Sequence, residues 1–203
     1  MTLATAKLST SGLVNSGVLL FWFLIVALIP IGCVVNSNYQ KQSLDSHYPA
    51  SFYIENIHFF PQEEFQCGPS VLASVLNYFG YKIVPEEISK VIYLRRIEGT
   101  LNMDMVSFAK GYEKDGRIAV SEAHGDIELI KKDITDGHPV IAFVDLGFWD
   151  IRKGHYMLIV GYDDIKGGII ANSGIEKDKF ISYNRFLKIW ERGGYWALRI
   201  VPE

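Results

Sequence analysis

The chain has only two cysteines, Cys33 and Cys67, and no CxxC pair. That excludes a disulfide-dense scaffold and leaves no thiolate set for zinc. A Cys33–Cys67 disulfide is the one pairing available, and it would consume the Cys67 thiol and tether the N-terminal segment. Lysine and arginine form no run, and the formal net charge is −3, so there is no basic footprint for nucleic acid. A GxxxxGK[ST] phosphate loop is missing too, which removes the P-loop nucleotide-binding class. Neither internal repeats nor low-complexity tracts occur. Most telling is a regional absence: no charged residue lies between Leu8 and Gln40, and Val18 to Ile29 is continuously apolar.

That N-terminal layout, with Lys7 as a meagre positive region ahead of a short apolar stretch, reads as a secretory signal peptide. At its end Ile29-Pro30-Ile31-Gly32-Cys33 resembles the lipobox of bacterial lipoproteins, with Pro30 where an aliphatic residue is usual. The expectation is export and a lipid anchor on Cys33, peripheral rather than spanning, in the bacterial cell envelope on the extracytoplasmic side. An uncleaved N-terminal anchor is the alternative. Asn36 to Ser51 is polar and without periodicity, as a tether would be. The expected organisation is signal or anchor over 1–32, tether over 33–51 and a single domain over 52–203.

Within the domain the richest stretch is Gln62-Glu63-Glu64-Phe65-Gln66-Cys67-Gly68-Pro69-Ser70. Val71, Leu72, Val75, Leu76 and Phe79 follow at helical spacing, and Gly80 offers a stop. Pro69 falls in the first turn, where a missing amide hydrogen is tolerated. Cys67 therefore stands at a helix N-terminus, where the macrodipole and unpaired N–H groups favour thiolate. Gly68 offers room for a substrate backbone, and Gln62 carries an amide donor suited to an oxyanion. An isolated cysteine is better explained as a small buried hydrophobe; the company Cys67 keeps reverses that reading.

A thiol nucleophile needs a base, and the chain has five histidines. His47 and His58 precede the nucleophile, His124 reads as a turn, and His138 as the exit from a helix. His155 opens Tyr156-Met157-Leu158-Ile159-Val160-Gly161-Tyr162, an apolar run that reads as a buried strand. A polar ring at the mouth of such a strand is the candidate base.

Gln62 shortly before Cys67-Gly68, with Gly154-His155-Tyr156 heading a later strand, resembles the papain-like bacteriocin-processing, or double-glycine leader, peptidase family. The likeness runs from about Phe60 to the C-terminus. Gly137-His138-Pro139-Val140-Ile141 followed by the His155–Asp163 segment is similar to its stand-alone, exported members. The resemblance implies a papain-like fold, a Cys67/His155 thioester mechanism and a peptide or protein substrate cut after a double-glycine leader. Family members doing that job usually belong to ATP-driven transporters, whose phosphate loop is absent here. Where the family has Asp-Pro to orient the histidine, this chain has Ile169-Ile170-Ala171-Asn172-Ser173-Gly174, so Asn172 is the expected orienting residue and Ser173 the alternative. Asp163 and Asp164 read as turn caps.

Further helices are expected over Val84–Ile92, Asn102–Tyr112, Asp126–Ile134 and Ser182–Trp190, and strands over Pro139–Val144, His155–Tyr162, Gly168–Asn172 and Tyr195–Val201. Helices first and strands afterwards indicate α+β, an N-terminal helical part on a C-terminal antiparallel sheet. Phe148 and Trp149, on the loop before His155, read either as a wall of the cleft or as cover for a core edge. The chemistry implied needs no cofactor and no metal. Two rivals stay open: a non-catalytic peptide-binding module on a degenerate peptidase fold, and a thiol-dependent acyltransferase or amidase.

Overall fold

A computed structural model describes residues 48–61 and 66–203. The expectations for Val18–Ile29, Cys33 and Gln62 lie outside these residues. Among them are five α-helices and seven strands: α1 Cys67–Tyr78, α2 Pro85–Ile92, α3 Asn102–Lys110, α4 Ile127–Thr135 and α5 Tyr183–Arg192, with β1 Ser51–Tyr53, β2 Ile118–His124, β3 Val140–Asp145, β4 Gly154–Asp163, β5 Gly168–Ser173, β6 Glu176–Ser182 and β7 Trp196–Pro202. This is the α+β arrangement expected. No helix among the described residues is long and apolar enough to cross a membrane.

The strands form one antiparallel sheet in the order β2-β7-β3-β4-β5-β6. β1 pairs with the far end of β4, Tyr53 opposite Gly161. A side chain at Gly161 would meet the Phe52 carbonyl oxygen at 2.7 Å, so glycine is what admits β1. Seven consecutive residues of β4, Tyr156–Tyr162, are buried. An alternating pattern would leave one face wet; a continuous one requires cover on both. α1 and α4 both pack against β4, while α5 packs over β3 and β5.

α1 is held to its length by local chemistry. Val71, Leu72, Val75 and Leu76 are buried, and Gly80 takes φ +86°. That left-handed residue lets its own N–H reach the Asn77 carbonyl and the Tyr81 N–H reach Leu76, closing the helix end. α4 ends the same way, with Gly137 at φ +81° and the His138 N–H on Asp133. At its start the Asp126 carboxylate accepts from the Leu129 N–H at 2.9 Å, an N-cap. Asp133, on the buried face of α4, accepts from Arg199 of β7 through Nε and Nη2 at 2.5 and 2.6 Å, tying helix to sheet.

Three strands were not anticipated. β1 opens at Ser51, inside the expected tether, and is only three residues long. β2 ends on His124, whose Nδ1 lies 2.7 Å from the Gly194 carbonyl, so this histidine closes a strand and is no turn. β6 reads Glu-Lys-Asp-Lys-Phe-Ile-Ser, and its charges suit an edge strand that must not pair further.

Candidate active site

The start of α1 meets the start of β4. Cys67 is the first residue of α1 and is half-buried. The backbone amides of Tyr156, Gly68 and Cys67 lie near its sulfur and favour the thiolate. Tyr156 is the residue after His155, so the sequence-predicted nucleophile and base are brought to the same corner. The Tyr156 hydroxyl, shared between the Thr100 carbonyl at 3.1 Å and Asn102 Oδ1 at 2.6 Å, locks the head of β4 to the approach of α3. Those two anchors were not evident in the sequence, since a side chain bonding to a distant loop leaves no periodic signal.

The imidazole has a different neighbour from the one expected. His155 Nε2 lies 2.9 Å from Ser173 Oγ. Asn172 pairs with Leu158 in the sheet register and so shares that residue's face. His155, three positions from Leu158, points to the other face with Ser173. The Asn172 side chain is occupied elsewhere, its Oδ1 accepting from the Asp178 N–H at 2.9 Å. Ser173, not Asn172, therefore holds the imidazole, and strand alternation is the reason. When Nε2 donates to Ser173, the lone pair of the neutral ring lies on Nδ1.

Electrostatics at this corner also depart from expectation. Burial raises the Cys67 thiol above its usual range, outweighing the three amide hydrogens that lower it. Burial, with Lys153 and Lys179 nearby, pushes His155 down to about 4. Both shifts favour neutral forms, so at neutral pH the resting pair is thiol and imidazole. The amides at the start of α1 lower the thiol by less than burial raises it. Gly68 has a packing task rather than the expected one: a side chain on it would meet Met105 Sδ at 3.0 Å and Thr100 at 3.2 Å. Phe148 and Trp149 cover no core edge; they are 75% and 81% exposed. Asp163 caps a turn as expected, accepting from the Lys166 N–H at 2.9 Å. Asp164 instead takes Lys131 Nζ at 3.0 Å and the Tyr183 hydroxyl at 2.5 Å. Among the described residues no group of three or more His, Cys, Asp or Glu gathers as a metal site.

A helix that delivers a cysteine to the histidine of an antiparallel sheet defines the papain-like class of cysteine peptidase folds. Residues 54–198 match the model of the Peptidase C39-like family, and the chain belongs to that family. Among solved structures it is similar to a C39-like peptidase from Bacillus anthracis (16% identity, 75% of this chain and 98% of that one, TM-score 0.61). It is also similar to the peptidase domain of Streptococcus ComA, a bifunctional ABC transporter (24%, 73% and 100%, 0.57). A third likeness is to a double-glycine-motif protease from an AMS/PCAT transporter in complex with its leader peptide (20%, 75% and 95%, 0.58). No curated protein matches. At these identities the structural likenesses establish the fold.

Proposed function

We propose that this chain is a cysteine peptidase in which Cys67 attacks a peptide carbonyl and His155 carries the proton. The observation that carries the reading is the meeting of Cys67 and the His155-Tyr156 corner, with Ser173 on Nε2. Because both groups rest neutral, His155 Nδ1 takes the thiol proton as the sulfur–carbon bond forms, rather than holding a standing ion pair. The tetrahedral oxyanion is then held by the Cys67 N–H and, on the sequence reading, by Gln62. His155 next protonates the leaving amine, and water attacks the thioester to release the acid. The substrate is a peptide or protein segment; the leader peptide bound to the transporter protease supports an extended peptide as its form.

The apolar, uncharged N-terminal stretch and the Ile31-Gly32-Cys33 sequence support export and attachment to the membrane on the extracytoplasmic side. Turnover of a fluorescence-quenched peptide library by the full chain, native and Cys67→Ala, tests the mechanism. Loss of all turnover in a variant that keeps its circular dichroism and melting behaviour is expected, and retained turnover overturns it. One observation favours a second reading: the raised thiol and lowered imidazole also suit a module that holds peptides uncut. That reading predicts equal peptide binding by both chains with no product from either. An acyl transfer to amines in place of water would appear as amide products in the same assay.

A further inference from the structure

The hairpin between β3 and β4 carries apolar side chains into open solvent: Phe148 75%, Trp149 81% and Ile151 75% exposed, with Leu146 at 39%. This is not a slack loop. The Asp145 carboxylate, itself 3% exposed, accepts from the N–H groups of Gly147 at 2.8 Å and Lys153 at 2.9 Å. Arg192 of α5 reaches the same carboxylate at 3.4 Å and donates to the Gly147 carbonyl. The Leu146 N–H bonds to Lys153 and the Ile151 N–H to Phe148. A side chain at Gly147 would lie 1.8 Å from the Ile151 carbonyl oxygen, so the closure accepts glycine alone. Trp149 is held at φ +54°, a conformation uncommon for a bulky residue. A rigid support thus presents an indole, a phenyl ring and a branched aliphatic chain outward.

The chemistry around the tip narrows the partner. Trp and Phe beside aliphatic side chains, with cations just behind them, is the composition that settles at a membrane–water interface. Arg152 and Lys153 follow Ile151 directly and are exposed, opposed within the tip by Asp150 alone. The register places the β5–β6 turn, with Ile175 80% exposed, at the same end of the sheet. On that turn's strand exposed Lys177 is flanked by exposed Glu176 and Asp178, so the turn contributes apolar surface and no net positive charge. The positive charge is local to the hairpin, where Arg152 and Lys153 outnumber Asp150 on a chain of net −3, and there it complements anionic headgroups.

We infer that the Leu146–Lys153 hairpin seats in the interface of an anionic bilayer, with Phe148, Trp149 and Ile151 among the acyl chains and Arg152 and Lys153 at the headgroups. Since Gly154 and His155 follow immediately, the cleft would then open at the membrane surface, toward peptide segments lying on or emerging from it. The inference draws on the tip alone and does not require Cys67 to be catalytic.

The test uses the full Cys67→Ala chain in phosphatidylglycerol-containing vesicles whose acyl chains are brominated. Trp149 emission is read as the difference between this chain and one also carrying Trp149→Phe, which cancels Trp22, Trp190 and Trp196. Expected are a blue-shifted Trp149 component and severalfold quenching by bromine, weakened by Phe148→Ala with Ile151→Ala and by Arg152→Glu with Lys153→Glu. A Trp149 component that emits as a water-exposed indole and ignores bromine overturns the inference. If the same tip variants then slow peptide turnover in the Cys67 chain, the hairpin is a peptide-docking surface instead.

Discussion

Buried ionisable groups are treated in two opposite ways in this molecule. On the scaffold, each buried carboxylate is surrounded by donors. Asp145 is pushed up by burial, yet the amides of Lys153 and Gly147 and the Arg192 guanidinium hold it below the usual carboxylate range. Asp133 has a two-pronged arginine. At the head of β4 the reverse holds: His155 has a hydroxyl for a partner and lysines for charged neighbours. A charge fixed by several hydrogen bonds is a strut, because moving its proton would undo them all. A pair kept neutral by burial, with one flexible hydroxyl beside it, can pass a proton without dismantling the fold.

Breaking the scaffold side of this contrast should cost the most. Removing one partner of a buried pair leaves the other uncompensated, at about 3–5 kcal/mol. Arg199 keeps 27% of its side chain exposed, so water can answer part of its need. Asp133→Ala is therefore expected near the lower end, about 3 kcal/mol, read as a shifted urea midpoint with an unchanged slope. Turnover per folded molecule should not move. On the other side, His155→Ala is expected to lower kcat by about 10²–10⁴-fold, the range for a lost general base, while the urea midpoint at pH 7 shifts little by comparison. A chain in which both variants lose stability and activity together would erase the distinction.

The pH dependence sharpens it. In the fold His155 titrates at about 4, whereas in the unfolded chain it returns to about 6.5. Between those values the unfolded state binds a proton that the native state refuses. Stability is thus complete above about pH 6.5 and falls as the pH drops toward 4, by up to about 3 kcal/mol. Urea unfolding at steps through this window should show that slope in the native chain and lose it in His155→Gln. The neutral thiol has its own signature: alkylation of Cys67 by iodoacetamide should climb only above the usual thiol range. A plateau of fast alkylation at pH 5–7 would mean a standing ion pair.

The sequence made the proposed nucleophile and base legible because each sits at a boundary that periodicity marks. Val71, Leu72, Val75 and Leu76 locate the start of α1, and the unbroken apolar run after His155 locates the head of β4. What stayed hidden depends on depth and on pairing across the fold. Whether Cys67 rests as thiolate is decided by desolvation, which no local motif reports. The edge strands β2 and β6 escaped because their exposed faces carry Ser121, Glu122 and Lys177 in place of a clean apolar alternation. Thr100 and Asn102, which fix Tyr156, lie more than fifty positions away in the chain.

The smallest expected effect bears on the residue the sequence could not decide. From the family pattern Asn172 and Ser173 are equivalent; the sheet separates them, since adjacent strand residues face opposite ways. Ser173→Ala removes a hydrogen bond of about 0.5–1.5 kcal/mol from the imidazole. If that bond chiefly selects the tautomer with Nδ1 free for the thiol, kcat falls by up to about tenfold with KM little changed. Asn172→Ala removes a bond to the Asp178 amide instead, and at 3% exposure it leaves that turn under-satisfied, so about 1 kcal/mol of stability is lost with kcat intact. Ser173→Asn probes the geometry further: an amide on the correct face can still accept from Nε2–H and should restore more of kcat than alanine does. If Asn172→Ala proves the slower enzyme of the pair, the imidazole turns to the other face during turnover, and the contrast between strut and proton carrier would have to include that motion.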